Sequence, residues 1–397
     1  MRLRPFLCVL VATAVAATTA GCGSDDHTTN TSTIDISKLD SGNYPIVPRD
    51  IEAIRTAKTG PALEAIRIGN STPLPLDVDG RYSFQRLTNT DRRVTPTSTP
   101  TIFSLSDQEV AESTDGLIAG WDSSGERRKR LSLGRQANIS LLRFSSAEQT
   151  EAAVRRLADR QSENLTGDSV QVPGFPQARA KWSVGKKYLD AWLTHDTMAL
   201  YLHIEDPLSE PAELAPLTDF AQKYFKKQFE MLATYSPTPA DRFGSLPIDV
   251  DGLLSRTLPL EEKERIDKNY DNSMVLPGQA ALHFENLPGL TKAAFDDAGV
   301  DLVSFSSTRV FRARDAKSAT RLLAAFADRD SDGYRKIDSP SNMPSAQCFD
   351  YKDTKTTTSR YPPVCFFAYD RYVARVTGHN PQELYQRTAA QYKLLAH

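Results

Sequence analysis

The chain is short of the residues that carry most enzymatic chemistry. It has six histidines in 397 residues, at 27, 195, 203, 283, 379 and 397. No two stand four apart, which excludes a helical histidine pair of the zinc-protease kind. G-x-S-x-G, H-E-x-x-H, the Walker loop and G-x-G-x-x-G are all absent. The 48 basic residues are balanced by 50 acidic ones, for a formal net charge of −2, so no basic excess marks nucleic acid as a partner. Past the first two dozen residues, no apolar run approaches the roughly 20 residues needed to span a bilayer as a helix. Catalytic residues and cofactors are therefore expected to be none.

What is present begins at the N-terminus. Arg2 and Arg4 form a basic head, Phe6 to Ala17 is almost wholly apolar, and Thr19-Ala20-Gly21 closes with small residues before Cys22. This is a secretory signal too short to span a membrane. It resembles a bacterial lipoprotein signal. The resemblance implies cleavage after Gly21 and a lipid anchor, diacylglycerol and palmitate, on Cys22, with the membrane as partner and the outer face of the cell membrane as address. Residues 22–38 are Ser, Thr, Asp and Gly with little to bury, and read as a disordered tether. Cys8 leaves with the signal, so Cys348 and Cys365 remain. In an exported chain such a pair reads as a disulfide worth roughly 3 kcal/mol.

The body carries an internal duplication. Leu74-Pro-Leu-Asp-Val-Asp-Gly80 recurs as Leu246-Pro-Ile-Asp-Val-Asp-Gly252. Leu141-Leu-Arg-Phe recurs as Val310-Phe-Arg-Ala, His195-Asp196 as Tyr369-Asp370, and the helix at Phe220 as the helix at Leu384. Four matches in one order at a nearly constant offset mean two copies of one domain, here 39–240 and 241–397. Each copy alternates strands with amphipathic helices, so the fold class is α+β, two tandem related domains with mainly antiparallel sheets packed by helices. Thr101–Ser104 and Ala281–Phe284 read as strands. Asp107–Ser113, Thr218–Leu232 and Pro381–Leu395 read as helices. Ser145 with Glu148 reads as a capping box.

Leu39-Asp-Ser-Gly-Asn-Tyr-Pro45, Pro48-Arg-Asp50 and Glu64-Ala-Ile-Arg-Ile-Gly-Asn70 leading to Pro75-Leu-Asp-Val-Asp79 resemble the DUF7373 family of actinobacterial lipoproteins. The resemblance covers residues 39–397. It implies a cell-envelope lipoprotein and supplies no catalytic residues. With catalysis disfavoured, the expected activity is binding of a lipid, glycolipid or other small ligand between the two domains, since domain interfaces commonly hold ligands. The alternative is a scaffold that recruits envelope proteins.

Other motifs have plainer readings. Asp328, Asp330 and Asp332 before Gly333 follow the start of a calcium loop, but Ser339 stands where the loop needs Glu, so a helix end and polar turn is favoured. Asp77/Asp79 and Asp249/Asp251 are expected to form turns. His195-Asp196 reads as a hairpin turn, and His203 with Glu205 as an exposed strand edge. Phe220, Tyr224, Phe225, Phe229 and Leu232 read as core. The basic run Arg127–Arg130 reads as a solvated loop with the option of touching anionic head groups.

Overall fold

The computed structural model describes residues 34–85, 91–129, 133–265, 271–330, 333–352 and 361–397, with Asp330 described by its backbone alone. The first half runs α1 (Thr59–Asn70), α2 (Pro75–Val78), β1 (Arg93–Val94), α3 (Asp107–Ser113), β2 (Leu117–Glu126) and β3 (Gln136–Phe144). It continues with α4 (Ala147–Asn164), β4 (Asp168–Val172), β5 (Phe175–Ser183), β6 (Tyr188–His195), β7 (Met198–Glu205) and α5 (Ala215–Leu232). The second half runs β8 (Met274–Pro277), α6 (Gly278–Leu282), α7 (Pro288–Ala298), β9 (Leu302–Phe305), β10 (Arg309–Arg312) and α8 (Ala316–Asp330). It ends with β11 (Tyr334–Ile337), β12 (Gln347–Tyr351), β13 (Val364–Tyr369), β14 (Tyr372–Thr377) and α9 (Pro381–Ala396).

The duplication is plain in the topology. The first sheet is ordered β1-β2-β3-β7-β6-β5-β4 and the second β8-β9-β10-β14-β13-β12-β11. Adding seven to each strand of the first sheet gives the second. All neighbours are antiparallel. Matched hairpins turn at Asp196 (φ 50°) and Asp370 (φ 48°), two left-handed aspartates in equivalent places. Fold class and internal repeat are thus as the sequence implies.

Local chemistry sets the element ends. Ser106 Oγ accepts from Glu109 N–H (3.3 Å), while Glu109 Oε2 accepts from Ser106 N–H (2.8 Å), which starts α3. Asn380 accepts from Glu383 N–H (3.0 Å) ahead of Pro381, starting α9. Ser146, one residue past the expected Ser145, caps α4 by accepting from Gln149 N–H. Inward-facing Trp121, Leu141, Leu193, Leu200 and Ile204 of the first sheet join α1, α5 and the side chains of β8 to α8 in one continuous apolar core. The aromatic positions of α5 are part of it, as expected, with Phe229 at its margin. Inside the first half, fully buried Glu64 of α1 accepts from Arg143 of β3 (2.7 Å), Thr238 N–H (3.0 Å) and the Tyr235 hydroxyl.

Four expectations are corrected. Thr101–Ser104 is an irregular strap, because Phe103 N–H donates to the Tyr201 hydroxyl (3.2 Å) and Phe103 C=O accepts from Gln161 (2.9 Å), leaving nothing for a strand neighbour. Ala281–Phe284 is the end of α6 and a turn; the strand lies just before it, in β8. Ile36–Lys38 of the expected tether already forms a 3-10 turn, with Lys38 C=O held by Asn342 (3.0 Å). Residues 39–50, placed in the first domain by sequence order, lie on the second half. Gln386 donates to Asp40 (3.2 Å), Arg49 pairs with Asp271 (2.7 Å), and Arg49 N–H donates to Ser255 C=O (3.2 Å).

Candidate functional site in the first half

Strand register lays polar side chains in rows across the outer face of the first sheet. One row is Ser124–Asn138–His203–Asp190–Lys181, and the next is Asp122–Ser140–Tyr201–Trp192–Arg179. At one end of this face α4 presses Ala153, Val154 and Leu157 onto Leu142, Phe144 and Ala199. The rows lie beside that patch.

Their centre is a closed hydrogen-bond network. Tyr201 donates to Asp190 Oδ1 (2.5 Å), and His203 Nδ1–H donates to the same carboxylate (2.9 Å), which can only accept. Gln161 donates to the Tyr201 hydroxyl (3.1 Å) and accepts from Trp192 Nε1–H (2.6 Å). Burial, reinforced by the Asp190 charge, holds the Tyr201 hydroxyl well above the usual tyrosine range, so it stays a donor. His203 is 1% exposed on a central strand, not at an exposed edge as its alternation implied. Phe103 stacks on its ring at 4.0 Å and Tyr188 meets it edge-on. His203 Nε2 has no protein partner, and the ring makes no hydrogen bond to a hydroxyl or thiol among the described residues.

Two depressions flank the His203–Phe103 stack. A cleft of about 460 Å³ opens between α4 and strands β4 to β6, lined by Asp159, Gln161, Arg179, Lys181, Asp190 and Trp192. Its volume is within the usual range for ligand sites, about 300–1,000 Å³. It offers two cationic donors and two carboxylate acceptors above an aromatic floor. The smaller depression, about 180 Å³, holds Asp122, Asn138, Ser140 and Arg92. Burial pushes the Asp122 carboxyl up to about 6, although Ser140 donates to it (2.6 Å) and Arg92 lies near.

Among the described residues, the two halves meet in direct contact where the ligand was expected. Gln85 donates to Leu282 C=O (2.8 Å) and Arg92 to His283 C=O (3.1 Å). His283 Nε2–H donates to Thr72 C=O (3.1 Å); burial and Arg92 push this imidazole down to about 3, so it is neutral. Trp121 stands edge-on to His283 and Phe284 across the joint. Gly69 is required beneath it, since a Cβ there would fall 2.4 Å from the indole. A cavity lined by Thr59 and Ala62 of one half and Asp271 and Met274 of the other holds about 10 Å³, room for one water at most.

The remaining motifs settle simply. Cys348 and Cys365 are bonded and directly opposed across β12 and β13. Cys22 and Asp332 lie outside the described residues, as does the side chain of Asp330; Asp328 and Asp330 end α8. Among the described residues no three His, Cys, Asp or Glu side chains form a metal-binding group. Asp77 accepts from Leu74 N–H and Asp249 from Leu254 N–H, both as turn formers. Asp79 pairs with Arg127 (2.6 Å) and Asp251 with Arg312 (2.6 Å). His195 and Asp196 are exposed and 3.9 Å apart. The period-two polarity of Asp122/Ser124, Asn138/Ser140 and Tyr201/His203 was the available signal for the outer face. Sequence order alone does not say which of these strands are neighbours.

No curated protein matches the chain. Among solved structures, the extracellular domain of PknH from Mycobacterium tuberculosis is similar over 42% of this chain and 96% of its own, at 12% identity and a TM-score of 0.28. The description "Domain of unknown function (DUF7373) N-terminal" matches residues 51–248, and its C-terminal counterpart matches residues 253–397. The chain belongs to the DUF7373 family.

Proposed function

We propose that the chain is a cell-envelope lipoprotein, held to the membrane through Cys22, that binds a small polar ligand without catalysis. The site is the cleft beside Asp190 in the first half. The observation that carries this reading is the difference between the copies. At register-equivalent places, Lys181, Asp190 and Trp192 in the first half become Phe349, Val364 and Phe366 in the second, packed in the apolar core. Buried polar groups cost stability unless satisfied, and the second copy shows that the fold does not need them. Arg179, Lys181 and the two acids favour a hydroxyl-rich or anionic group, such as the head of a glycolipid, over a bare acyl chain. The signal sequence and the disulfide support an oxidising, exported address.

The test is native mass spectrometry of residues 24–397 after incubation with an envelope lipid and metabolite extract. A discrete added mass that Arg179→Glu/Lys181→Glu abolishes is expected. A bare protein mass, or an adduct indifferent to these changes, removes the reading and favours a scaffold that recruits envelope proteins.

A further inference from the structure

Three loops leave one end of the first sheet together, because Gln136, Glu205 and Tyr188 are register neighbours. They are the β2–β3 loop, the β5–β6 turn and the segment after β7. Their bases are stitched: Arg135 pairs with Asp206 (2.6 Å), and Asp206 N–H donates to Lys187 C=O (3.1 Å). Each carries one strongly exposed aliphatic side chain, Leu133 (48%), Val184 (58%) and Leu208 (55%). Single exposed aliphatics are ordinary; three on adjoining loops at one end of a sheet are not.

Of the acids at this end, half-buried Glu205 is in no ion pair among the described residues, and three others are engaged. Asp79 is engaged by Arg127, Asp206 by Arg135 and Glu210 by Lys187. Arg128, Lys129 and Lys186 are exposed and in no ion pair among the described residues. Arg128 lies against Gly134, next to Leu133, and Lys186 is two residues from Val184.

We propose that this end of the first half docks on an anionic membrane surface. Leu133, Val184 and Leu208 enter the headgroup–acyl boundary while the three free cations meet lipid phosphates. Aliphatic insertion and electrostatic attraction add at a membrane face. The proposal takes only the nearby membrane from the envelope reading. It is read without a lipid anchor and without a cleft ligand, so either idea can fail alone.

The experiment uses residues 24–397, which lack both Cys22 and the apolar segment Phe6–Ala17, and co-sedimentation with vesicles of phosphatidylcholine, with or without phosphatidylglycerol. Binding to the anionic vesicles only, weakening as salt is raised, is expected. Arg128→Gln/Lys129→Gln/Lys186→Gln lowers partitioning about 100-fold, at about fivefold per charge. Leu133→Ser/Val184→Ser/Leu208→Ser lowers it about tenfold or more. All six sites are exposed, so the melting temperature stays fixed; Lys186→Glu alone is the milder check. No vesicle binding, equal binding to neutral vesicles, or variants that bind like the parent would overturn the proposal. So would capture of a protein partner by this end with vesicles ignored.

Discussion

The two halves share every strand connection and differ in what they place on one face. In the first, Trp192 lies opposite Tyr201, and Asp190 opposite His203. In the second, Phe366 lies opposite Arg375, and Val364 opposite Thr377. Arg375 is neighboured by Arg309, which pairs with Glu285 (3.0 Å). The other face shows the reverse specialisation. Cys348 opposite Cys365 occupies the place of Ala180 opposite Ala191. A repeat thus acts as its own control: what both copies keep is scaffold, and what one copy alone retains at a cost invites a functional account.

The largest expected effect comes from a pair the second half makes differently: its equivalent arginine, Arg312, meets the exposed Asp251 and Asp301, whereas Arg143 meets the fully buried Glu64. Glu64→Ala in α1 leaves Arg143 buried without its partner and removes an acceptor from Thr238 and Tyr235. A loss of about 3–5 kcal/mol is expected in urea unfolding, and a loss below about 1 kcal/mol would show that the site relaxes. The staple comes next. Cys348→Ser/Cys365→Ser is expected to cost about 3 kcal/mol. Ala180→Cys/Ala191→Cys should form the equivalent bond in the first half, detected as a reductant-dependent shift in melting. If it does not form, the register match is not a geometric match.

A smaller effect on stability, but a complete one on binding, is expected from giving the first half the second half's row. Lys181→Phe/Asp190→Val/His203→Thr removes the acceptor of Tyr201, which costs about 1–3 kcal/mol. It should also abolish any adduct seen by mass spectrometry. A surviving adduct would place the ligand elsewhere.

The pH profile separates the joint from the outer face. His283 is held down to about 3 from 6.5, so the stability it contributes is complete above pH 6.5 and is lost as pH falls towards 3. Asp122 is raised from 3.8 to about 6, so its contribution is lost as pH rises through that window. Asp122→Asn should therefore raise the melting temperature near neutral pH and leave it unchanged near about pH 4, below most of the shift. His283→Gln should flatten the acid limb alone. Melting curves of both variants across this range check the signs.

How much of this was legible in the sequence follows from the range of the forces involved. The start of α9 and the first hairpin were readable because Asn380–Glu383 and Asp196 act within a few residues, whereas the cap of α4 was placed one residue early, at Ser145 for Ser146. The repeat was readable because Leu74–Gly80 and its partner keep their order. β2 passed unnoticed because Gly120, Ser123, Ser124 and Gly125 have low strand propensity; its place between β1 and β3 holds it extended. The site was hidden because Asp190, His203, Gln161 and Phe103 meet only when β3, β7 and β6 are placed side by side. The ligand was expected between domains on a general tendency, and Trp121 against Phe284 is a particular that no tendency supplies.

The path of the chain across the second half has a mechanical consequence. Residues 38–50 grip Asn342, Gln386, Ser255 and Asp271 before the first strand of either sheet begins. Tension applied at the N-terminus is therefore taken up by α9 and its surroundings, in the copy closed by the disulfide. The half with the cleft hangs downstream of that grip, shielded from the pull.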